Sequence, residues 1–208
     1  MHFSYSTLNM LLTNSHCWIN KMMGIKPEPQ WYFTAGSEGH RIIQDHVSNR
    51  KKDERLAFLT EEFPIVETKP FDPQCKFSFI FKGYEIMGFL DGKNYESKHF
   101  LEIKLSGAPW SIGKFQRADQ RKIYALAEPH FDHATLITGS LNPNEWLANP
   151  PKVYTIDNTD QDREEAKEFL ARGIEVFENG DFNGGLDDDG RCKDPRCPWG
   201  KNCHFKSF

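Results

Sequence analysis

Three runs rich in β-branched and aromatic residues, Phe77–Phe81, Tyr84–Leu90 and Phe100–Leu105, follow one another, separated by segments that contain Gly, Asp and Asn. Short runs bounded in this way predict adjacent antiparallel strands. The β-rich character is expected to begin near Phe58, with a further strand at Phe63–Val66. Helical patterns flank these runs. Phe3 to Met23 predicts one or two short helices with Ser4, Ser6 and Thr7 as possible caps, and a second helix is expected from near Ser37 to Val47, with His40 on its first turns. A third is predicted over Lys114–Ala127, which has neither Gly nor Pro inside it. Asp160–Glu178 carries an acidic first turn and apolar Phe169, Leu170, Ile174 and Phe177 at helical spacing. Ala134–Thr138 reads as a buried strand and Val153–Ile156 as an edge strand. The expected class is mixed α/β (α+β), a central mixed sheet flanked by helices.

The chain has 208 residues, enough for one substantial core. One domain is expected over residues 1–178, with 179–208 as a tether and Cys-rich tail belonging to it; Asn179–Gly190 is too rich in Gly, Asn and Asp to bury apolar surface. With 26 basic and 30 acidic residues the net charge is −4, so a polyanion has to be bound by a local patch. No apolar run approaches the roughly 20 residues that span a bilayer, and Met1–Tyr5 does not open a secretion signal. An intracellular protein, neither secreted nor membrane-bound, is therefore expected. Five cysteines, three of them within the last seventeen positions, suit a metal site better than a disulfide framework.

Chemistry concentrates in Gly88-Phe-Leu-Asp91-Gly92 and, eleven residues after Asp91, Glu102-Ile103-Lys104. Side chains at i and i+2 of a strand share a face, so Glu102 and Lys104 project together while Ile103 faces the core. With Asp91 on the neighbouring strand, two carboxylates and the Ile103 carbonyl offer hard oxygen ligands for Mg²⁺ or Mn²⁺. Such an ion suits phosphodiester hydrolysis, with Lys104 orienting the water or stabilising charge on the phosphate. Asp91-Gly92 in a hairpin turn and Glu102 with Lys104 as a surface pair would give the same pattern.

Two further features bear on that choice. Gly36-Ser-Glu-Gly-His40 places an imidazole near a helix start, as a further ligand or merely as a cap. Gln116, Gln120 and Tyr124 fall on one helical stripe beside Lys114, Arg117 and Arg121, a pattern suited to a backbone phosphate track, although the charges alone would also suit solvated surface.

In order and spacing, Ser4-Tyr-Ser6-Thr-Leu8, Gly36-x-x-x-His40, Gly88-x-x-Asp91-Gly92, Glu102-Ile-Lys104 and Gln120-x-x-x-Tyr124 resemble the RecB-like branch of the PD-(D/E)XK nucleases, including the CRISPR-associated RecB-like exonucleases and the AddB nuclease domain. The resemblance covers nearly the whole chain and implies a restriction-endonuclease-like core. It also implies His40, Asp91 and Glu102 as metal ligands, Lys104 as the catalytic lysine, and Gln120 with Tyr124 as the motif that supports the site and touches the substrate strand.

Many members of that branch hold a four-iron cluster on one early cysteine and three late ones, pinning the tail to the N-terminal helix. Cys17, Cys192, Cys197 and Cys203 match that layout. The four-residue gap between Cys192 and Cys197 departs from the usual two, and a structural zinc on the same trio with His204 or Cys17 is the competing reading. Cys75 is left over as an expected buried free thiol.

The expected function is therefore a Mg²⁺- or Mn²⁺-dependent exonuclease acting on single-stranded DNA or DNA ends, with a recombination or repair protein as a possible partner. A structure-specific endonuclease, an RNA-cleaving relative and a non-catalytic nucleic-acid adaptor are the alternatives. Nothing in the residues sets the oligomeric state.

Overall fold

The computed structural model describes residues 1–26, 31–63, 70–180, 182 and 203, without the side chains of residues 16, 31–35, 60 and 62. Its described elements run β1 (His2–Phe3), α1 (Tyr5–Thr13), α2 (Ser15–Met22), α3 (Trp31–Val47), α4 (Phe58–Glu62), β2 (Asp72–Phe81), β3 (Tyr84–Asn94), β4 (His99–Leu105), α5 (Ile112–Gln116), α6 (Asp119–Ala127), β5 (His133–Gly139), β6 (Lys152–Asp157) and α7 (Asp160–Asn179). The strands form a six-stranded mixed sheet in the order β1-β3-β4-β5-β6, with β2 also paired to β3. This is the mixed α/β class expected, and β6 is the edge strand.

The chain divides into two compact units. One comprises Met1–Pro29, Phe79–Met87 and Lys167–Phe208; the other comprises Gln30–Ser78 and Gly88–Ala166. In the first, β1 runs parallel to the start of β3, with His2 opposite Glu85 and Phe3 opposite Ile86. Ser4 caps α1 by accepting from the Thr7 N–H. The buried Leu8 packs where α7 carries Gly173, at which a Cβ would come within 2.9 Å of the Leu8 side chain. Phe3 meets Tyr84 and Phe177 at ring-centroid distances of 5.4 and 5.2 Å.

The second unit holds the larger core. β3 and β4 pair antiparallel through Gly92–Leu101, Lys93–Phe100 and Asn94–His99. β4 and β5 then pair in parallel along their whole length, from His99–His133 to Leu105–Gly139, because α5 and α6 carry the chain back between them. Alternation along β4 separates two faces. Leu101 and Ile103 enter the buried cluster with Ile42, Ile43 and Val47 of α3, whereas Phe100 points the other way and meets Tyr124 of α6 at 5.8 Å.

Several expectations need correction. Phe58–Glu62 is helical, and Phe63 follows that helix as its C-cap; the rest of the strand expected at Phe63–Val66 lies outside the described residues. α3 starts at Trp31, so His40 sits mid-helix and cannot be a capping histidine. The helix expected over Lys114–Ala127 is two helices, broken where Ala118 takes an extended backbone (φ −71°, ψ 117°). Buried Arg121 accounts for the break, since its guanidinium pairs with Asp162 and also donates to the Gln116 carbonyl left free at the end of α5 (3.0 Å). Cys75 is free but only half-buried. Among the described residues, no helix is long and apolar enough to cross a membrane.

Candidate active site

β3 and β4 stop pairing after Gly92–Leu101, while β4 stays bound to β5 as far as Leu105. The edge of β4 beyond Leu101 is thereby open toward Asp91. Asp91 Oδ2 accepts the Ile103 backbone N–H at 2.7 Å. A strand residue directs its N–H and C=O to the same edge, so the Ile103 carbonyl faces the same side as the carboxylates.

Glu102, 3% exposed, forms an ion pair with Lys104, its neighbour two positions along the same face. The Lys104 ammonium also donates to Gln120 Oε1 at 2.9 Å. Gln120 Nε2 in turn donates to the Tyr124 hydroxyl at 2.6 Å, and that hydroxyl donates to the Phe89 carbonyl at 3.0 Å. The chain of contacts thus returns to β3 two residues before Asp91. Tyr124 is held edge-on between Phe77 and Phe100. The i, i+4 spacing of Gln120 and Tyr124 survives within α6, and it is this pair that reaches the lysine.

His40 approaches from α3, its Nδ1 3.8 Å from Asp91 Oδ1. Gly39 lets that helix come close to the sheet, since a Cβ there would lie 2.4 Å from Leu105 Cδ1. Gln44, one turn on, donates to the Asp91 carbonyl at 3.3 Å, and Gln74 donates to Gln44 at 3.4 Å. His40, Gln44 and Gln74 also line a cleft of about 690 Å³.

Burial dominates the electrostatics. It pushes the Asp91 carboxyl up, against the Ile103 hydrogen bond and the Lys104 charge, and pushes Glu102 up against the pull of Lys104, with the Asp91 charge adding to the rise. Burial lowers His40 despite the charge of Glu102, which favours the neutral imidazole. Among the described residues, no group of three or more His, Cys, Asp or Glu side chains is placed to hold a metal ion by itself. The donor chemistry nevertheless fits a divalent cation: a buried and a half-buried carboxylate, both with raised pKa, an imidazole with lowered pKa and a carbonyl on the same edge are groups that a hard ion would stabilise in their binding forms.

The expected phosphate track needs revision. Lys114, Gln116 and Arg117 are exposed. Gln116 closes α5 and does not share a helical stripe with Gln120 and Tyr124. Arg121 is 2% exposed and paired with Asp162, which argues against its expected place on the track. The sequence reading missed Trp110, whose ring centre lies 5.6 Å from the Lys104 ammonium, and Thr138, whose hydroxyl donates to the Lys104 carbonyl at 2.9 Å. A tryptophan in the Ser-Gly-Ala-Pro-Trp segment just after Lys104 was the available signal.

In the other unit, Cys17 and Cys203 are both buried in one cluster, with Met10 and Ile25 against it, and Asn20 donates to Cys203 Sγ at 3.2 Å. Cys192, Cys197 and His204 lie outside the described residues.

No family model and no curated protein matches the chain. Among solved structures it is similar to the putative exonuclease of Eubacterium rectale, at 11% identity over 86% of this chain and 82% of that one, with a TM-score of 0.54. It is also similar to the alkaline exonuclease of Laribacter hongkongensis, at 14% identity over 86% of this chain and 91% of that one, with a TM-score of 0.48. The first likeness is one of fold, and the six-stranded mixed sheet with its helices agrees with a restriction-endonuclease-like core.

Proposed function

We propose that this chain is a Mg²⁺- or Mn²⁺-dependent nuclease that hydrolyses phosphodiester bonds of DNA, working as an exonuclease on single strands or strand ends. The observation that carries the proposal is the gathering of Asp91, Glu102 and Lys104 at an opened strand edge, with Lys104 tied to Gln120. A surface hairpin would leave these groups in water; here Glu102 is buried and Asp91 half-buried, and desolvation pushes both toward their protonated forms, which favours a cation-binding role. The fold shared with the Eubacterium rectale protein supports the same direction.

Asp91, Glu102 and the Ile103 carbonyl would hold the ion, with His40 beside them. When bound, the ion supplies charge neutralisation at the phosphate and a more acidic water. Hydrolysis forms a bond from the water oxygen to phosphorus, breaks the bond to the leaving sugar oxygen, and moves one proton from the water to solvent while the leaving oxygen gains one. Lys104 serves by donating a hydrogen bond to the attacking water or to a phosphate oxygen, at a place fixed by Gln120 and Tyr124. The lowered pKa of His40 favours the neutral ring, the form that binds a cation.

We assign a further cofactor to the Cys-rich tail, a [4Fe-4S] cluster on Cys17, Cys192, Cys197 and Cys203, with structural zinc as the alternative. The buried approach of Cys17 and Cys203, far apart in sequence, supports a shared ligand set. A colourless protein with stoichiometric zinc after anaerobic purification would overturn the cluster.

The nuclease assignment is tested by digesting end-labelled linear and circular single-stranded DNA with Mg²⁺ or Mn²⁺, using wild type, Asp91→Ala and Lys104→Ala. Cleavage of linear strands by wild type alone is expected. Cleavage that persists in both variants overturns the site, and cutting of circles overturns the exonuclease.

A further inference from the structure

Trp110 lies on the loop that leaves β4 after Leu105, and that loop is tied back to the catalytic strand. The Trp110 backbone N–H donates to Thr138 Oγ1 at 2.8 Å, and the same hydroxyl donates to the Lys104 carbonyl at 2.9 Å. Thr138 is also the β5 partner of Lys104, so the loop is anchored at the lysine itself.

The indole serves no core. Trp146 shows the contrast, fully buried with its N–H donated to the Ser140 carbonyl, whereas Trp110 is half-buried behind exposed Gly107, Ala108 and Pro109. Two ammonium groups lie near its ring, Lys114 at 4.3 Å and Lys104 at 5.6 Å from the centre. Both fall within cation–π range. They are held differently. Lys104 is also fixed by Glu102 and Gln120, while Lys114 is exposed, so Lys114 can leave the ring at small cost and Lys104 stays.

An aromatic face beside a row of cations is how proteins bind unpaired nucleotides, the ring taking a base and the ammonium a phosphate. We propose that Trp110 and Lys114 form a nucleotide-seating subsite beside Lys104, in which the indole stacks on an unpaired nucleobase of the strand being cut and Lys114 pairs with that strand's neighbouring phosphate. The proposal rests on the nuclease reading and deepens it: a base inside a duplex already stacks on its neighbours, so the subsite selects single strands and frayed ends.

The experiment compares single-turnover cleavage of an intact single-stranded oligonucleotide with one lacking the base next to the bond that wild type cuts. Wild type, Trp110→Phe, Trp110→Ala and Lys114→Gln are used with Mg²⁺ or Mn²⁺. Wild type and Trp110→Phe are expected to cut the abasic strand about tenfold or more slowly than the intact one. Trp110→Ala should cut both at one reduced rate, and Lys114→Gln should keep the discrimination while losing part of the salt dependence of binding. Equal cleavage of the two strands by wild type, or undiminished discrimination by Trp110→Ala, overturns the subsite and leaves the nuclease reading intact. Absence of all cleavage by wild type is failure of that reading instead. The subsite is then judged by fluorescence anisotropy with oligothymidylate and its fully abasic counterpart. Tighter binding of oligothymidylate by wild type and not by Trp110→Ala upholds it, and equal binding by wild type overturns it.

Discussion

The carboxylate of Asp91 accepts the backbone N–H of Ile103 at 2.7 Å, across the point where β3 and β4 cease to pair. One side chain thereby replaces a ladder hydrogen bond and brings itself beside Glu102. Asp91→Asn keeps an oxygen acceptor for that N–H and removes the charge. The variant is expected to melt within a few degrees of wild type while losing about a hundredfold or more in DNA cleavage. Equal activity would move the metal site elsewhere.

The Tyr124 hydroxyl joins Gln120 to the Phe89 carbonyl, so Tyr124→Phe leaves both without that partner. A loss of about 1 kcal/mol in stability is expected, with a fall in cleavage rate of up to about tenfold through a looser Lys104. Urea unfolding and single-turnover rates measure the two effects separately.

Burial raises the folded-state pKa of Asp91 and Glu102 above their ordinary values of 3.8 and 4.5. Folding then favours the protonated forms. In EDTA, this contribution to stability is full below the ordinary carboxylate range and is lost as pH rises through the raised values. Glu102→Gln should flatten that decline. Added Mg²⁺ or Mn²⁺ should raise the melting temperature of wild type, and more so at pH 8 than at pH 5, because protons compete for the same oxygens.

His99 has the opposite sign. Burial first, then the charge of His133, lowers it from 6.5 to about 4, and its Nδ1 meets Thr135 Oγ1 at 3.0 Å. The folded state favours the neutral ring, so its contribution is present above the unfolded value of 6.5 and is lost as pH falls toward 4. His99→Gln should make the melting temperature less sensitive to acid across that window, checked against wild type by thermal scans.

Arg121 and Arg117, four positions apart, should respond in different ways. Removing a partner from a buried ion pair costs about 3 kcal/mol or more, so Arg121→Met should destabilise the protein. Arg117→Glu should leave stability nearly unchanged and reduce the salt dependence of DNA binding. A steep salt slope lost only in Arg121→Met would restore the original track.

Strand alternation by itself placed Glu102 with Lys104 and turned Ile103 inward, because a period of two is imposed by the pleat whatever the partners are. Helical spacing likewise joined Gln120 to Tyr124. Local patterns did not reveal that β4 and β5 run parallel, that Ala118 breaks a helix, or that Arg121 is an interior cation, since each depends on a residue distant in sequence: Thr138 beside Lys104, Asp162 beside Arg121. The sequence alone singled out the candidate residues Asp91, Glu102 and Lys104 and the face of β4 that Glu102 and Lys104 share. Only the tertiary structure decided their charge environment and neighbours, because desolvation of Asp91 and Glu102 and the approach of Trp110 to Lys104 and Lys114 arise when separate elements close on one another.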